Sequence, residues 1–273
     1  MRALILGHTG FIGSALKRAL ESHGLEVEGA SPGSIDLTVE KDARSLSPRF
    51  TPETAVVLCS AIRRQDGDNQ ENFQRNLAMG ANVASVLRER PVARLVYFSS
   101  AAVYGEDIAG DGINEATAVN PTSYYGAAKF AIECLLRKAA EGSTSLLVLR
   151  PPAVYGPGGL GAASDYSPTG FIRKALRSEG LTLWGDGSER REFLLLEDLA
   201  RLVVALLAHP FSGTLNVVSG KSRSFREAAE LAYRLAETPL AIDERPRSKN
   251  KADHGFDNAL LRRLLPEFRF QSL

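Results

Sequence analysis

A short apolar run, Ala3–Leu6, ends directly in Gly7-His8-Thr9-Gly10-Phe11-Ile12-Gly13. Phe11, Ile12, Ala15, Leu16, Ala19 and Leu20 then recur at helical spacing, and Gly24 is a natural stop. This strand, glycine turn and helix constrain the fold more than any other stretch of the chain. Glycines at such a junction permit a tight turn and let backbone N–H groups approach a pyrophosphate, whose charge is favoured at a helix N-terminus. The GxxGxxG spacing is weak by itself; its place between strand and helix gives it weight.

The same alternation continues to residue 150. Strands are expected at Leu25–Ala30, Ser34–Leu37, Ala55–Ala61, Ala93–Ser99 and Ser145–Arg150, with helices at about 70–90 and 122–141. Most of the strands are continuous runs of Val, Leu and Ala, as in strands covered on both faces. Strand and helix in turn imply a doubly wound parallel sheet. After Arg150, four prolines and a glycine cluster at 156–170 mark a loop-rich exit. A mixed lobe follows, with helices near 169–178, 195–208 and 224–237, strands near 181–184 and 214–218, and a last helix from about 257 to 265. Ser224 with Glu227 reads as a capping box. The expected division is residues 1–150 for a cofactor domain and 151–273 for a smaller lobe.

Composition removes several classes of function. Apolar residues are 44% and charged residues 24% of the 273, which is neither disordered nor fibrous. With 33 basic and 32 acidic residues the formal charge is +1, so neither a nucleic-acid partner nor an anionic membrane surface is expected. No apolar run approaches the roughly 18 residues of a membrane span, and the first apolar run is too short for a signal peptide. Two cysteines make no disulfide framework, and a reducing cytoplasm is expected. His8, His23, His209 and His254 show no metal-ligand spacing, so no metal is expected.

Tyr125 and Lys129 lie four apart on the helix at 122–141, hence on one face. A phenol with a pKa near 10 is a poor base at neutral pH. An ammonium about 4 Å away, at an effective dielectric of ~20, would favour the phenolate by roughly 4 kcal/mol, enough for general acid–base work near neutrality. Ser99 and Ser100 close the fifth expected strand, at the carboxyl edge where open α/β sheets bind ligands. The second strand runs into Ala30-Ser31-Pro32-Gly33 without a carboxylate for the adenosine ribose and without an adjacent Arg, so the choice between NAD and NADP stays open.

Together these stretches resemble the extended short-chain dehydrogenase/reductases, specifically the NAD-dependent epimerase/dehydratase family. The resemblance rests on GHTGFIG (7–13), IDLT (35–38), VVLCSA (56–61), FSSAAVYG (98–105), YYGAAK (124–129), LRPPAVYGPG (149–158) and LWGDGSERREF (183–193), in family order over residues 1 to about 235. It implies a Rossmann-type doubly wound sheet with a smaller mixed α/β substrate lobe. By resemblance, Gly7, Gly10, Phe11, Ile12 and Gly13 hold the cofactor pyrophosphate, Asp36 and Leu37 the adenine, and Val154 lies by the nicotinamide. Ser100, Tyr125 and Lys129 form the catalytic set, Lys129 also binding the nicotinamide ribose. Asn76, Ser100 and Arg191 face the substrate, Arg191 gripping a diphosphate as guanidinium geometry favours. Ala101 and Ala102 stand where the family's dehydratases carry acids, so 4,6-dehydration lacks its acid and base.

The expected function is an NAD(P)-dependent nucleotide-sugar epimerase acting by reversible hydride transfer. The alternative is an NAD(P)H-dependent ketoreductase of a keto sugar, favoured modestly by the missing ribose carboxylate. A third reading is a non-catalytic NAD(P)-sensing regulator, which need not keep the Ser, Tyr and Lys together. The glycine-rich loop at 156–170 is expected to shape the sugar pocket. The resemblance also allows a homodimer through the two long middle helices; Ala127, Ala131, Cys134 and Leu135 fit such a face and fit core packing equally.

Overall fold

A computed structural model describes residues 2–108, 110–158, 167–247 and 250–271. In chain order the elements are β1 (Arg2–Leu6), α1 (Phe11–Ser22), β2 (Glu26–Ala30), α2 (Glu40–Arg44), β3 (Thr54–Leu58), α3 (Gln70–Glu89), β4 (Arg94–Phe98), β5 (Gly110–Ile113), α4 (Tyr124–Ala140), β6 (Ser145–Arg150) and β7 (Ala153–Tyr155). They continue with α5 (Pro168–Leu176), β8 (Leu181–Trp184), β9 (Arg190–Leu195), α6 (Leu196–Ala208), β10 (Gly213–Asn216), β11 (Ser222–Ser224), α7 (Phe225–Leu235), β12 (Ile242–Arg245), β13 (His254–Phe256) and α8 (Ala259–Leu264). Two compact units result. The first comprises Met1–Gly105, Ala118–Pro151 and Leu199–Asn216; the second comprises Glu106–Thr117, Pro152–Asp198 and Val217–Leu273.

The first unit is built on six parallel strands in the order β10-β6-β4-β3-β1-β2. β3 and β4 are buried along their whole length, the consequence of continuous apolar runs covered on both faces. Leu4, Leu6, Val56, Leu58, Leu95 and Tyr97 of the sheet share one core with Val83, Leu87, Ile132 and Leu136 of α3 and α4. Those two helices approach closely because α3 carries Gly80, where a Cβ would overlap the Ile132 side chain. Each is started by a side chain: Asn69 accepts from Asn72 N at 2.9 Å, and Ser123 accepts from Gly126 N at 3.0 Å.

The segment Ser34–Leu37, expected as a strand, is a turn. Ser34 N and Ile35 N both donate to Ser31 O at 2.8 Å, and Asp36 Oδ1 takes Thr38 N at 2.9 Å. The Ser34 and Asp36 side chains bond the local backbone, and Pro32 and Gly33 favour a turn; together these outcompete the β propensity of Ile35 and Leu37. The sixth strand of the sheet is instead β10, paired with β6, so Ser99 and Ser100 close the fourth strand.

In the second unit β9 pairs parallel with β7 and antiparallel with β11, while β8 pairs with β12 and β5 with β13. Phe225 packs edge-on against Phe171 at 6.4 Å and Phe193 at 5.8 Å, centring a core with Leu181, Leu183 and Tyr233. The Ser224–Glu227 capping box forms in both directions, at 2.7 and 3.0 Å. Of the loop at 156–170, residues 159–166 lie outside the described residues. Among the described residues no helix is long and apolar enough to cross a membrane.

Candidate active site

Gly7 follows β1 with φ +97°, which a side chain would resist, and its N–H donates to Ala30 O at 2.8 Å. Gly10 N returns to Gly7 O at 3.0 Å and closes the turn. A Cβ on Gly13 would overlap the Gly7 carbonyl, so only glycine lets α1 begin here. Gly10 is the cap of α1 and offers no side chain to the first N–H groups, leaving those at Phe11, Ile12 and Gly13 for another acceptor. An uncapped helix start behind a glycine cradle fits a pyrophosphate. Gly13→Ala is expected to raise the NAD(P) dissociation constant roughly tenfold or more, equivalent to about 1.4 kcal/mol. A fluorescence titration checks this, and unchanged affinity contradicts it.

Within β2, Glu28 is held by Arg2, and the His8 ring packs where a Cβ on Gly29 would lie. The chain that leaves β2, Ser31-Pro32-Gly33-Ser34, carries no carboxylate. Asp36 binds the Thr38 hydroxyl at 2.7 Å and the Thr38 N–H, which hold its carboxyl below the usual range. The Leu37 side chain is buried in the core and its carbonyl accepts Asn82 Nδ2 at 2.9 Å. Asn76 is also buried: its amide accepts Ile62 N at 2.8 Å and donates to Ile62 O at 3.0 Å, fixing the chain as it leaves β3.

Ser100, Tyr125 and Lys129 come together. Ser100 leads a short 3₁₀ turn, Ala101–Tyr104, and its Oγ accepts Ala102 N at 3.1 Å. Gly126 lets α4 press against that turn, since a Cβ there would crowd Ala102 O. The same turn of α4 carries Tyr125. Burial pushes its phenol up to about 12, while the nearby Ser100 hydroxyl and the Arg63 cation favour the phenolate. Lys129 is only 3% exposed; its Nζ donates to Phe98 O at 2.7 Å and lies 5.6 Å from the Tyr125 ring centroid. Burial pushes the Lys129 ammonium down to about 8. Beneath them Ser99 donates to Glu133, one turn further along α4.

Val154 and Arg191 belong to the second unit. Val154 sits on β7 opposite Leu194 of β9. The Arg191 side chain is 21% exposed; it pairs with Glu189 and donates to the carbonyls of Arg190 and Ala252. Arg247 joins the same carboxylate, its Nη1 at 2.8 Å from Glu189, and reaches Asp186 at 3.2 Å. The two guanidiniums thus share Glu189, and with Asp186 on Arg247 the cluster balances two cations against two carboxylates. Sequence reading missed Arg247, because its partners come some sixty positions earlier and no local pattern marks it. Within Glu189–Glu192 only Arg190 is exposed. Glu192 is 1% exposed, accepts Gly220 N at 3.1 Å and Ser219 N, and burial pushes its carboxyl up to about 7.

Between the ordinary pKa of Glu192, near 4.5, and about 7 the folded chain binds more protons than the unfolded one, so this group's contribution to stability falls as pH rises. Glu192→Gln is expected to remove a loss of about 3 kcal/mol across that window. Denaturant melts at pH 4.5 and 7 would read it, and equal slopes in both proteins would contradict it.

The parallel sheet, the cradle at its carboxyl edge and the Ser and Tyr beside a buried Lys define a Rossmann-type enzyme of the extended short-chain dehydrogenase/reductase class. More narrowly, the chain belongs to the NAD dependent epimerase/dehydratase family, whose model matches residues 3–218. It is 31% identical over 282 residues to ADP-L-glycero-D-manno-heptose-6-epimerase of Cupriavidus pinatubonensis, covering 89% of this chain and 82% of that one. It is 29% identical over 251 residues to GDP-L-fucose synthase of Sinorhizobium fredii, covering 86% and 79%. The crystal structure of Thermus thermophilus UDP-glucose 4-epimerase in complex with NAD superposes with a TM-score of 0.85 at 24% identity, covering 100% of this chain and 95% of that one.

Proposed function

We propose that the protein is an NAD(P)-dependent epimerase of a nucleotide sugar. The observation that carries this reading is the buried Lys129 ammonium 5.6 Å from the Tyr125 ring, beside Ser100 at the end of β4, on the sheet that carries the glycine cradle. The first unit would hold the cofactor and the second the sugar nucleotide. Gly7, Gly10, Phe11, Ile12 and Gly13 would bind the pyrophosphate through backbone N–H groups, with Asp36 and Leu37 near the adenine and Val154 near the nicotinamide. Bound NAD(P) supplies a hydride acceptor and donor. Tyr125 Oη takes the proton of the reacting sugar hydroxyl and returns it to the carbonyl oxygen later. Ser100 Oγ hydrogen-bonds the same oxygen and keeps the phenol aimed. Lys129, steadied by Phe98 O, would bind the nicotinamide ribose and favour the ionised phenol. Arg191, with Arg247, would hold the substrate diphosphate, whereas Asn76 would act by fixing Ile62.

The same residues used once would make a ketoreductase; the carboxylate-free end of β2, which does not repel a 2′-phosphate, favours that second reading. A regulator that only senses NAD(P) has no need of the three together. We place the enzyme in the cytoplasm. A homodimer through α3 and α4 is also proposed, since Cys134 and Leu135 are exposed on α4; sedimentation of the purified chain reports it. The functional test is mass identification of the nucleotide that co-purifies, followed by a screen of UDP-, dTDP-, GDP- and ADP-sugars with isomer analysis. Conversion of one sugar to its epimer is expected; inertness towards every sugar nucleotide would sink the reading.

A further inference from the structure

We propose that the second unit carries a nucleotide site outside the residues assigned to catalysis: a cavity of about 500 Å³ beside β9, whose cations take the phosphates and whose phenylalanines take the ring. Phe193, Leu194 and Leu195 of β9 line one side, and the chain around the rest is tied down at three points. Asn258, at the start of α8, donates to Ser219 O on the approach to β11. Past α8, Phe268 N returns to Leu265 O at 3.0 Å and turns the chain back. Gln271 N then donates to Asp198 Oδ2 at 2.7 Å, just past β9. Walls fixed in advance spare a ligand the cost of ordering them. The volume lies within the about 300–1,000 Å³ of pockets that hold small molecules.

Four cations line the cavity, Lys221, Arg223, Arg262 and Arg269, against one carboxylate, Asp198. Asp198 is engaged by the Gln271 N–H, and Arg269 has Glu267 at 3.9 Å, a pair so exposed that it neutralises little. Glu192, bonded to the Ser219 wall, spends Oε1 on the Ser219 and Gly220 N–H groups. Among the described residues no carboxylate pairs with Lys221 or Arg262. The contrast with Arg191 and Arg247 is sharp: there two carboxylates balance two guanidiniums, and neither arginine is among the described residues that line the cavity. Cations gathered in a cleft with apolar walls repel one another and concentrate anions. Guanidinium forks match phosphate oxygens two at a time. Phe268 and Phe270, half-buried and edge-on at 5.0 Å, line the same space and offer a ring face for stacking. Phosphates on the cations with a flat ring on the phenylalanines describe a nucleotide.

Calorimetric titration of ADP, GDP, UDP and dTDP, with inorganic pyrophosphate alongside, into the full chain saturated with NAD(P) tests the site. The same titrations on an Arg191→Gln/Arg247→Gln variant remove the cations assigned to the sugar nucleotide. At least one nucleoside diphosphate is expected to bind that variant one to one. Lys221 and Arg262 are exposed, so alanine at both leaves the core intact; added to that variant, the two substitutions should weaken binding roughly tenfold or more. Phe270→Ala should weaken the nucleotide and leave pyrophosphate unchanged. The proposal is overturned if none of the four binds the Arg191→Gln/Arg247→Gln variant, if Lys221→Ala/Arg262→Ala changes nothing, or if no nucleotide binds better than pyrophosphate. Should the arginine variant fail to fold, the parent decides: Lys221→Ala/Arg262→Ala must remove one bound equivalent. None of these readouts uses turnover, so they stand whether or not the chain is an epimerase.

Discussion

Tyr125→Phe is expected to lower kcat by about a thousandfold while leaving NAD(P) affinity within a few-fold of the parent. General acid–base catalysis by a positioned side chain contributes about 10²–10⁴-fold, and no neighbour can replace Oη. The Cys59 thiol is pushed up to about 12 by burial and is no base near neutrality. Lys129 is turned to the Phe98 carbonyl. The Ser100 hydroxyl is a weak acid and base that itself depends on the phenol. Cofactor affinity should persist because the ring stays and the Gly7–Gly13 cradle lies on other elements. Initial rates on the turned-over sugar nucleotide, with a cofactor titration on the same sample, measure both quantities. A phenylalanine variant within tenfold of the parent rate would remove Tyr125 from the mechanism.

The largest expected effect on stability is at Arg150. Glu133 is fully buried in α4 and takes Arg150 Nε at 2.9 Å and Nη2 at 2.7 Å, Arg137 at 2.8 Å, and Ser99. Arg150 Nη1 donates to the Tyr104 hydroxyl at 2.9 Å, which donates to Asn216 of β10 at 2.8 Å. The network joins α4, the exits of β4 and β6, and the edge strand directly behind the Ser–Tyr pair. Burial pushes the Glu133 carboxyl up, but Arg150, Ser99 and Arg137 outweigh it and hold it below the usual range. Its stabilisation is therefore present above the unfolded carboxylate pKa and is lost as pH falls through the folded value. Arg150→Met removes two of the four hydrogen bonds to that buried carboxylate, leaving it only Ser99 and the partly exposed Arg137, and is expected to cost about 3 kcal/mol. The melting temperature should fall by about 10 °C, and adding Glu133→Leu should recover part of it. A single variant as stable as the parent would mean the network is idle.

The legible parts of the fold were those where one local signal sufficed. β6 and β8 follow from apolar runs bounded by turn residues, α1 from its repeat and the glycine at its end, and α7 from the Ser224–Glu227 box. Ser34–Leu37 misled because Ile and Leu suit a strand, while the neighbouring Ser, Pro, Gly and Asp decide the backbone. β9 was not foreseen: Arg190, Arg191 and Glu192 look solvated, yet the strand is held by partners on β7 and β11. Within the candidate site, Tyr125 and Lys129 stand out by helix spacing and Ser99 and Ser100 by a strand end, whereas Ser100 and Arg191 are singled out only by the family resemblance. Arg247 is not legible, because charge placement depends on chain paths that spacing does not encode.

Cofactor stoichiometry during turnover tests the central claim most directly. The purified enzyme is given its sugar nucleotide with a trace of NAD(P), and product is counted against the change in NAD(P)H absorbance. An epimerase built on Ser100, Tyr125 and Lys129 forms many equivalents of the epimer with no net change in cofactor. Consumption of NAD(P)H one-for-one with product would contradict epimerisation and assign the same residues to a reductase.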